Sequence, residues 1–282
     1  MAHQSKILLM GTPRFSAMVF QDIVNAFPDY SFSVISRTDM PKGRGRALLK
    51  SPVADWALQK GLPLYRFSDK AAVEEWIHGN QPDLVLVVAY GLILPASIVQ
   101  RFYCVNAHAS LLPLYRGASP IQSALLSGDP VTGITLIKMN EKMDEGDMIS
   151  SSQCTIFPDE DFPSLHDRLA TLASQLMTDM ISRFFSEQPL VLTSQDFLKA
   201  TYCEKIKPQA FELLSSEDMQ TKYRKIKAYY PFAFIHHQGK RIRILNAEIQ
   251  HGLLRPIQVQ PEGKSAMSYE DYLRGHKEEI SL

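Results

Sequence analysis

Two polar side chains, two residues apart, follow an apolar segment near the middle of the chain. Asn106 and His108 come at the end of Cys104–Ala107, which we predict to be a β-strand. Residues two apart in an extended chain point the same way, so the amide and the imidazole would face one space. An amide can stabilise an oxyanion, and an imidazole can donate or accept a proton near neutral pH. As an isolated pair, however, they are better explained as satisfied core residues.

A carboxylate that could complete this chemistry follows another predicted strand, Ile134–Lys138. Asp144 lies in the polar segment Met143–Met148. It could orient His108 or stabilise its charged form, as carboxylates do in acid–base dyads. Gly146 would permit a tight turn there. Taken alone, the segment is more simply explained as a hydrophilic surface turn.

The elements that must position these residues alternate along the first two thirds of the chain. The predicted strands are Lys6–Met10, Ser31–Ile35, Leu62–Tyr65, Leu84–Ala89, Cys104–Ala107 and Ile134–Lys138, and the predicted helices are Phe15–Ala26, Val53–Lys60, Lys70–His78 and Pro163–Phe185. This alternation predicts a Rossmann-like α/β fold, in which a mostly parallel sheet carries helices on both faces. Ligands of such sheets bind at the carboxyl ends of the strands.

The pattern of the sequence changes after the last predicted helix. From Tyr223 onward, short alternating runs such as KRIRIL at 240–245 predict a small antiparallel β unit. We therefore predict an α/β domain at residues 1–188, a linker at 189–207 and a β-rich domain at 208–282.

The composition excludes several classes of protein. The chain has 282 residues, 45% of them hydrophobic and 21% charged, with thirty basic and thirty acidic side chains. Those values exclude a disordered protein and a uniformly basic nucleic-acid wrapper. The longest apolar run, Leu84–Val99, is interrupted by Gly91 and Pro95 and is too short to span a membrane. The three cysteines lack C-x-x-C spacing, so we expect a cytoplasmic protein with reduced, mostly buried thiols.

Three polar segments occur in a characteristic order: Asn106–Pro113 (NAHASLLP), Arg116–Ile121 (RGASPI) and Asp144–Asp147 (DEGD). Together they resemble the folate-dependent formyltransferase family, and the resemblance covers nearly the whole chain. It implies that Asn106, His108 and Asp144 are the catalytic residues and that 10-formyltetrahydrofolate is the co-substrate. We predict no metal site, because the eight histidines include no H-x-x-x-H or H-E-x-x-H pair.

Two further segments extend the resemblance toward the folate. The opening Gly11–Phe15 (GTPRF) resembles the start of family members, and Ala89–Pro95 (AYGLILP) resembles their segment beside the folate pocket. The resemblance implies a folate-binding set of Phe15, Tyr90, Gly91, Leu92, Ile93, Ser110, Leu111, Leu112, Pro113 and Met143.

Other stretches resemble those family members whose acceptor is the α-amine of methionyl-initiator tRNA. They are the basic loop Lys42–Arg46 (KGRGR), Thr201–Lys205 (TYCEK) and Gln260–Ser268 (QPEGKSAMS). This likeness implies a role in translation initiation and a C-terminal domain that is a small, shortened OB-like β-barrel. The implied tRNA-binding residues are Arg37, Lys42, Arg44, Arg46, Lys205 and Lys207. We expect a monomer that binds initiator methionyl-tRNA and folate and does not associate with a membrane.

The charge pattern is compatible with a tRNA partner. Residues 36–50 carry five basic side chains against one acidic side chain, and residues 199–245 carry ten against four. Two basic patches on a neutral chain suggest a polyanion that touches two places. For 199–245, a solvated surface explains the charges about as well. In the loop, two glycines between the cations favour a segment that reaches a phosphate backbone.

Three other functions are left open by the sequence. A formyltransferase could act on a small amine, such as an amino sugar nucleotide or glycinamide ribonucleotide, although the KGRGR and QPEGKSAMS motifs speak against it. A non-catalytic RNA-binding protein could retain the fold, although the intact trio of Asn106, His108 and Asp144 speaks against that. A formyltetrahydrofolate hydrolase shares the trio and would release free formate without an acceptor.

Overall fold

The structure is a computed structural model that describes residues 4–38, 40–42, 47–276 and 278–282, with the backbone alone at 40–42 and 47–48. The strands are β1 Lys6–Gly11, β2 Ser31–Arg37, β3 Met40–Lys42, β4 Ala47–Leu49, β5 Leu64–Phe67, β6 Leu84–Val88, β7 Cys104–His108, β8 Arg116–Gly117, β9 Val131–Lys138, β10 Asp147–Thr155, β11 Tyr202–Cys203, β12 Phe234–His237, β13 Lys240–Gln250, β14 Leu253–Pro261 and β15 Met267–Ser268. The α-helices are α1 Arg14–Ala26, α2 Pro52–Gln59, α3 Lys70–Asn80, α4 Ala96–Val99, α5 Pro120–Ser127, α6 Phe162–Phe185, α7 Met219–Ala228 and α8 Tyr269–Arg274. Short 3-10 helices form at Phe197–Lys199 and Pro208–Phe211.

The chain forms two compact units that interleave along the sequence. The first unit comprises Met1–Arg116, Gly133–Cys154 and Asp167–Tyr202, and the second comprises Gly117–Thr132, Thr155–His166 and Cys203–Leu282. The linear domain boundaries at residues 188 and 207 stay a prediction.

A seven-stranded sheet forms the centre of the first unit, in the order β10–β9–β7–β6–β1–β2–β5. β1 pairs in parallel with β2 and β6, and parallel pairing continues from β2 to β5 and from β6 to β7. β9 is antiparallel to β7. The predicted Rossmann-like, mostly parallel sheet is confirmed. Its strand order reverses between β1 and β6, the kind of place where such sheets bind ligands.

Helices cover both faces of this sheet, as predicted. One core cluster joins Leu8 of β1 and Val85 of β6 to Val73 of α3 and Ile98 of α4. The helix α1 contacts β1 and β6, α2 contacts β2 and β5, and the two helices contact each other. All five residues of β6 are buried, which is typical of a central strand with both faces covered.

Local sequence signals set the ends of several helices. The hydroxyl of Ser51 accepts a hydrogen bond from the N–H of Ala54 at 3.0 Å, and Pro52 occupies the first position of α2. Both features agree with the sequence prediction, because a serine cap satisfies a free N–H and proline has none to lose. Asp69 caps α3 in the same way, through the N–H of Ala72.

An antiparallel sheet in the order β12–β13–β14–β15 forms the β part of the second unit. β13 and β14 make a long hairpin whose turn residues His251 and Gly252 have φ of 49° and 78°, the left-handed pair that a two-residue hairpin turn requires. The predicted small C-terminal β domain is confirmed. Lys222 and Lys225, which belong to the basic stretch 199–245, are buried here, so part of that charge excess lies inside the unit.

Several elements were not predicted from periodicity. β10 (DMISSSQCT) is mostly polar and so lacks the apolar run that would predict a strand, but it forms the edge strand beside β9. α7 (MQTKYRKIKA) forms although four of its ten residues are basic. β3 and β4 pair in antiparallel fashion, so strands flank residues 43–46, where only a loop was expected. In the part of the chain that the structure describes, every helix is too short or too polar to span a bilayer.

Candidate active site

β7 carries the first two predicted catalytic residues. It lies between β6 and β9 in the sheet, and Asn106 and His108 are two residues apart on it. Their side chains therefore project from the same face. His108 is buried, with 6% of its surface exposed, and Asn106 is half-buried.

Asp144 contacts both of these side chains. Its Oδ2 lies 3.6 Å from Nδ1 of His108, and the Nδ2 of Asn106 donates to its Oδ1 at 3.4 Å. The side chain of Asp144 is only 12% exposed, so water screens its attraction for a charged imidazole less than it would at an open surface. The structure thus brings the amide, imidazole and carboxylate of the predicted trio together.

Asp144 does not reach Asn106 and His108 by directly following a parallel strand, which is how residues usually meet at one edge of such a sheet. Residues that follow parallel strands meet at one edge of a sheet, but β9 is antiparallel, and its last residue, Lys138, pairs with Val105 near the start of β7. The segment 139–146 therefore turns back over the sheet toward His108. Asp144 has φ of 56° in this turn, a left-handed conformation that Asp and Asn tolerate better than most residues.

A backbone carbonyl completes the surroundings of His108. The oxygen of Tyr115 lies 2.8 Å from Nε2, while Asp144 faces Nδ1. A carbonyl oxygen can only accept, so Nε2 carries a proton in this arrangement. The carboxylate oxygen lies 3.6 Å from Nδ1, beyond hydrogen-bond distance, so it acts on the ring through its charge.

Gly146 closes the turn that carries Asp144. A Cβ atom there would overlap the carbonyl oxygen of Lys138, which is fixed in the backbone of β9. We therefore expect Gly146→Ala to lower the free energy of unfolding by about 1–3 kcal/mol in a denaturant titration. Gly79→Ala in α3 is the control, because nothing lies within 4 Å of a Cβ at that position. Equal stabilities of the two variants would contradict this packing argument.

Two further residues, Gln195 and Arg116, support the same turn. Gln195 donates hydrogen bonds to the carbonyl oxygens of Asp144 and Gly146, and Arg116 donates to the amide oxygen of Gln195. Arg116 stands out in the sequence only as part of the RGASPI motif, and Gln195, which falls in the predicted linker, was not predicted to contribute to the site. Nothing in the sequence around Gln195 indicates that this glutamine supports the turn of Asp144, because it lies in a polar stretch without a motif.

All three cysteines are buried and reduced, in agreement with the prediction. Burial raises the pKa of Cys104 to about 12, so this thiol stays protonated and unreactive at neutral pH. Within the described residues, no group of three His, Cys, Asp or Glu side chains is placed to hold a metal ion.

The sequence also matches a known family. The profile described as formyl transferase matches residues 6–181, a range that includes Asn106, His108 and Asp144. This chain belongs to the formyl transferase family. The match confirms the predicted family and the predicted class of enzyme, a one-carbon group transferase.

Relatives of this formyltransferase align along almost its whole length. The methionyl-tRNA formyltransferase of Methylococcus capsulatus is 35% identical over 300 residues, which cover 96% of this chain and 97% of the relative. The methionyl-tRNA formyltransferase of Hydrogenovibrio crunogenus is 34% identical, and the alignment covers 98% of this chain and 98% of the relative. The similarity thus extends into the C-terminal residues beyond the range of the formyl transferase profile.

Solved structures of formyltransferases share the fold. A methionyl-tRNA formyltransferase from Clostridium thermocellum superposes with a TM-score of 0.61 at 20% identity, over 92% of this chain and 99% of that one. A 4-N formyltransferase from Francisella tularensis gives a TM-score of 0.70 at 16% identity, over 87% of this chain and 98% of that one. At these identities the likeness concerns the fold.

The predicted folate-binding residues of this formyltransferase lie in the first unit and differ in exposure. Phe15, Tyr90, Ser110 and Leu112 are buried, Leu92, Leu111 and Pro113 are half-buried, and Gly91, Ile93 and Met143 are exposed. The ring of Tyr90 belongs to the core cluster, and burial raises its pKa to about 12 against the opposing charge of Arg37. The hydroxyl of Ser110 donates to the carbonyl of Leu114 at 2.5 Å. These contacts within the protein fix the positions of Tyr90 and Ser110. The contacts of these residues with folate stay predictions.

The predicted tRNA-binding residues of this formyltransferase belong to both units: Arg37 is in the first, and Lys205 and Lys207 are in the second. The Nη1 of Arg37 donates to the carbonyl of Gly91 at 3.3 Å, beside the predicted folate segment. Lys205 and Lys207 are exposed residues of the second unit. Lys42 ends β3, but its side chain, like Arg44 and Arg46, lies outside the described residues. Their contacts with tRNA stay predictions.

Proposed function

We propose that this formyltransferase transfers the formyl group of 10-formyltetrahydrofolate to the α-amine of methionyl-initiator tRNA and so supports translation initiation. The observation that carries the proposal is the convergence of Asn106, His108 and Asp144 at one partly buried site. The chain also has relatives named methionyl-tRNA formyltransferase that align over almost its full length. The chemistry requires no metal.

The trio has a role in each part of the proposed reaction. The amine attacks the formyl carbon, a new C–N bond forms, and a tetrahedral oxyanion develops before the bond to N10 of the folate breaks. The amide of Asn106 and the imidazolium of His108 stabilise the oxyanion. Asp144 orients His108 and stabilises its charge. The proton lost by the amine passes to the leaving N10 through His108 or a water molecule.

The geometry around the trio supports these assignments. Only one hydrogen of the Asn106 amide is needed for Asp144, so the second is available to a ligand. The Nε2 of His108 bonds a backbone carbonyl in the free protein. An oxyanion that approaches Nε2 would be a stronger acceptor than that carbonyl, because it carries charge.

We assign the remaining residues on the family resemblance. The folate would contact Phe15, Tyr90, Gly91, Leu92, Ile93, Ser110, Leu111, Leu112, Pro113 and Met143, and the tRNA would contact Arg37, Lys42, Arg44, Arg46, Lys205 and Lys207. In this assignment residues 1–188 are the catalytic domain, 189–207 a linker and 208–282 the tRNA-binding domain. We further propose a monomer that acts in the cytoplasm, where charged initiator tRNA is used.

A formylation assay with several acceptors tests the proposal. The purified protein is incubated with 10-formyltetrahydrofolate and methionyl-initiator tRNA, an amino sugar nucleotide, glycinamide ribonucleotide or no acceptor. We expect formylmethionyl-tRNA as the main product. Preferential transfer to a small amine would replace the proposed acceptor, and release of formate without any acceptor would indicate a hydrolase.

The loop at 42–46 offers a separate prediction about the acceptor. We expect Arg44→Ala to raise the KM for tRNA by about tenfold and to leave folate binding unchanged, because one charged contact to a phosphate contributes about 1.5–3 kcal/mol at most. Steady-state kinetics at two salt concentrations measure it, and the salt dependence should become weaker. Lys60→Ala, an exposed basic residue just after α2, is the control. Unchanged tRNA kinetics in Arg44→Ala would argue against the role of the loop.

A further inference from the structure

The turn that carries Asp144 is held by a side chain from a distant segment. The Nε2 of Gln195 donates to the carbonyl oxygen of Asp144 at 2.8 Å and to that of Gly146 at 2.7 Å. Gln195 is buried, with 4% of its surface exposed. Its two amide hydrogens therefore bracket Glu145 and fix the backbone on both sides of that residue.

Arg116 sets the orientation of the Gln195 amide. Its Nε and Nη2 donate to the amide oxygen at 3.1 and 2.8 Å. The guanidinium is fully buried and lies 4.8 Å from the centre of the Phe197 ring. Because guanidinium groups only donate, the amide oxygen must face Arg116 and the NH2 group must face the turn.

Arg116 also reaches the same turn directly. Its Nη1 lies 3.4 Å from Oε1 of Glu145, the residue that follows Asp144. A buried cation needs charged or strongly polar partners. Two of the partners of Arg116, Gln195 and Glu145, support this turn, and its Nη1 also donates to the hydroxyl of Tyr202 at 3.3 Å. Arg116 therefore connects Gln195 to Glu145, the residue next to Asp144 in the turn.

The backbone of the turn explains why such support is needed. Asp144 has φ of 56°, and left-handed backbone is disfavoured for residues that carry a Cβ. The inward carbonyls of such a turn also need partners. Gln195 supplies those partners without touching the carboxylate, which remains directed at His108 and Asn106.

We propose that Gln195, oriented by Arg116, is a positioning residue that holds the Asp144 carboxylate in register with His108 and Asn106. This inference rests on the proposed function, since it assigns Gln195 to the reaction through Asp144. It goes beyond that function because it places a determinant of the rate in a segment that is remote in sequence.

Two substitutions of Gln195 test the inference by kinetics. Gln195→Glu keeps an acceptor for Arg116, but it replaces the NH2 group with an oxygen that repels the carbonyl oxygens of Asp144 and Gly146. Gln195→Met keeps the length of the side chain but removes its hydrogen bonds to the turn and to Arg116. We expect kcat to fall 10- to 100-fold, since a displacement of about 1 Å has such an effect on catalysis, while both KM values stay within about twofold. Ser194→Ala is the control, because it removes a hydrogen bond to Asp147 between the same two segments and should leave kcat unchanged.

A double-mutant cycle separates positioning from a general structural role. In single-turnover assays, Gln195→Met should slow an Asp144→Asn background by less than about twofold, because its effect acts through the carboxylate. A reduction of tenfold or more in that background would overturn the inference. Thermal unfolding verifies that each variant is folded. If neither Gln195 variant folds, the residue is structural and the inference fails.

A measurement without catalysis distinguishes this inference from the proposed function. The ring 15N signals of His108 at fixed pH report its contact with Asp144, and they should shift in both Gln195 variants but not in Ser194→Ala. Unchanged His108 signals in the Gln195 variants would overturn the inference even in an active enzyme. Conversely, a wild-type protein that transfers no formyl group would refute the proposed function, and the His108 signals would still decide the positioning role.

Discussion

Replacing His108 with alanine is expected to lower the single-turnover rate of formyl transfer by about 100- to 1,000-fold, the usual effect of losing one oxyanion donor. The substitution removes both the Nε2 donor and the partner of the Asp144 carboxylate, whose Oδ2 lies 3.6 Å from Nδ1. Rapid mixing of excess enzyme with charged tRNA and 10-formyltetrahydrofolate measures the rate of the chemical step without product release.

A histidine in the same unit provides the control for this variant. His78 lies on α3, where it is 31% exposed and 3.9 Å from Glu74, and it has no place in the proposed reaction. We expect His78→Ala to retain the wild-type rate. Thermal unfolding verifies that His108→Ala is folded. If the folded variant still transfers the formyl group near the wild-type rate, His108 has no part in the mechanism.

The second large effect is expected at Asp144, where asparagine separates charge from geometry. Asparagine has nearly the same size and also tolerates left-handed backbone, so the φ of 56° at this position should be retained. The carboxylate is lost, and with it the orientation and charge stabilisation of His108. We expect the transfer rate to fall by about 1,000- to 10,000-fold, by analogy with other carboxylate–imidazole pairs.

Asp147→Asn is the matched control, because Asp147 lies just after the same turn and bonds Ser194 rather than His108. It should leave the rate within about twofold of wild type, and the His108 ring signals should move only in Asp144→Asn. If both aspartate variants were equally impaired, the loss would reflect disturbance of the turn, and the carboxylate of Asp144 would have no special role.

The sequence was sufficient to predict the frame of the first unit. Apolar runs gave the strands β1, β6 and β7, and Ser51 with Pro52 marked the start of α2. The two-residue spacing of Asn106 and His108 placed them on one face. These features depend on residues close together in sequence, which is why local patterns reveal them.

The features that the sequence did not reveal depend on long-range contacts. Asp144 reaches His108 through a segment that turns back from the end of the antiparallel strand β9, and strand direction is a property of the whole sheet. Gln195 bonds a carbonyl 51 residues away. The partner of His108 Nε2 is a backbone oxygen of Tyr115, which every residue type possesses. The family resemblance predicted Asp144, but it could not supply the contacts that hold it.

The burial of all three cysteines has a practical consequence for spectroscopy. Cys104, Cys154 and Cys203 are each less than a tenth exposed, so a cysteine introduced at a surface position should react with a maleimide dye ahead of the native thiols. A single dye attached in this way could then follow the proposed binding of tRNA in real time without a cysteine-free background.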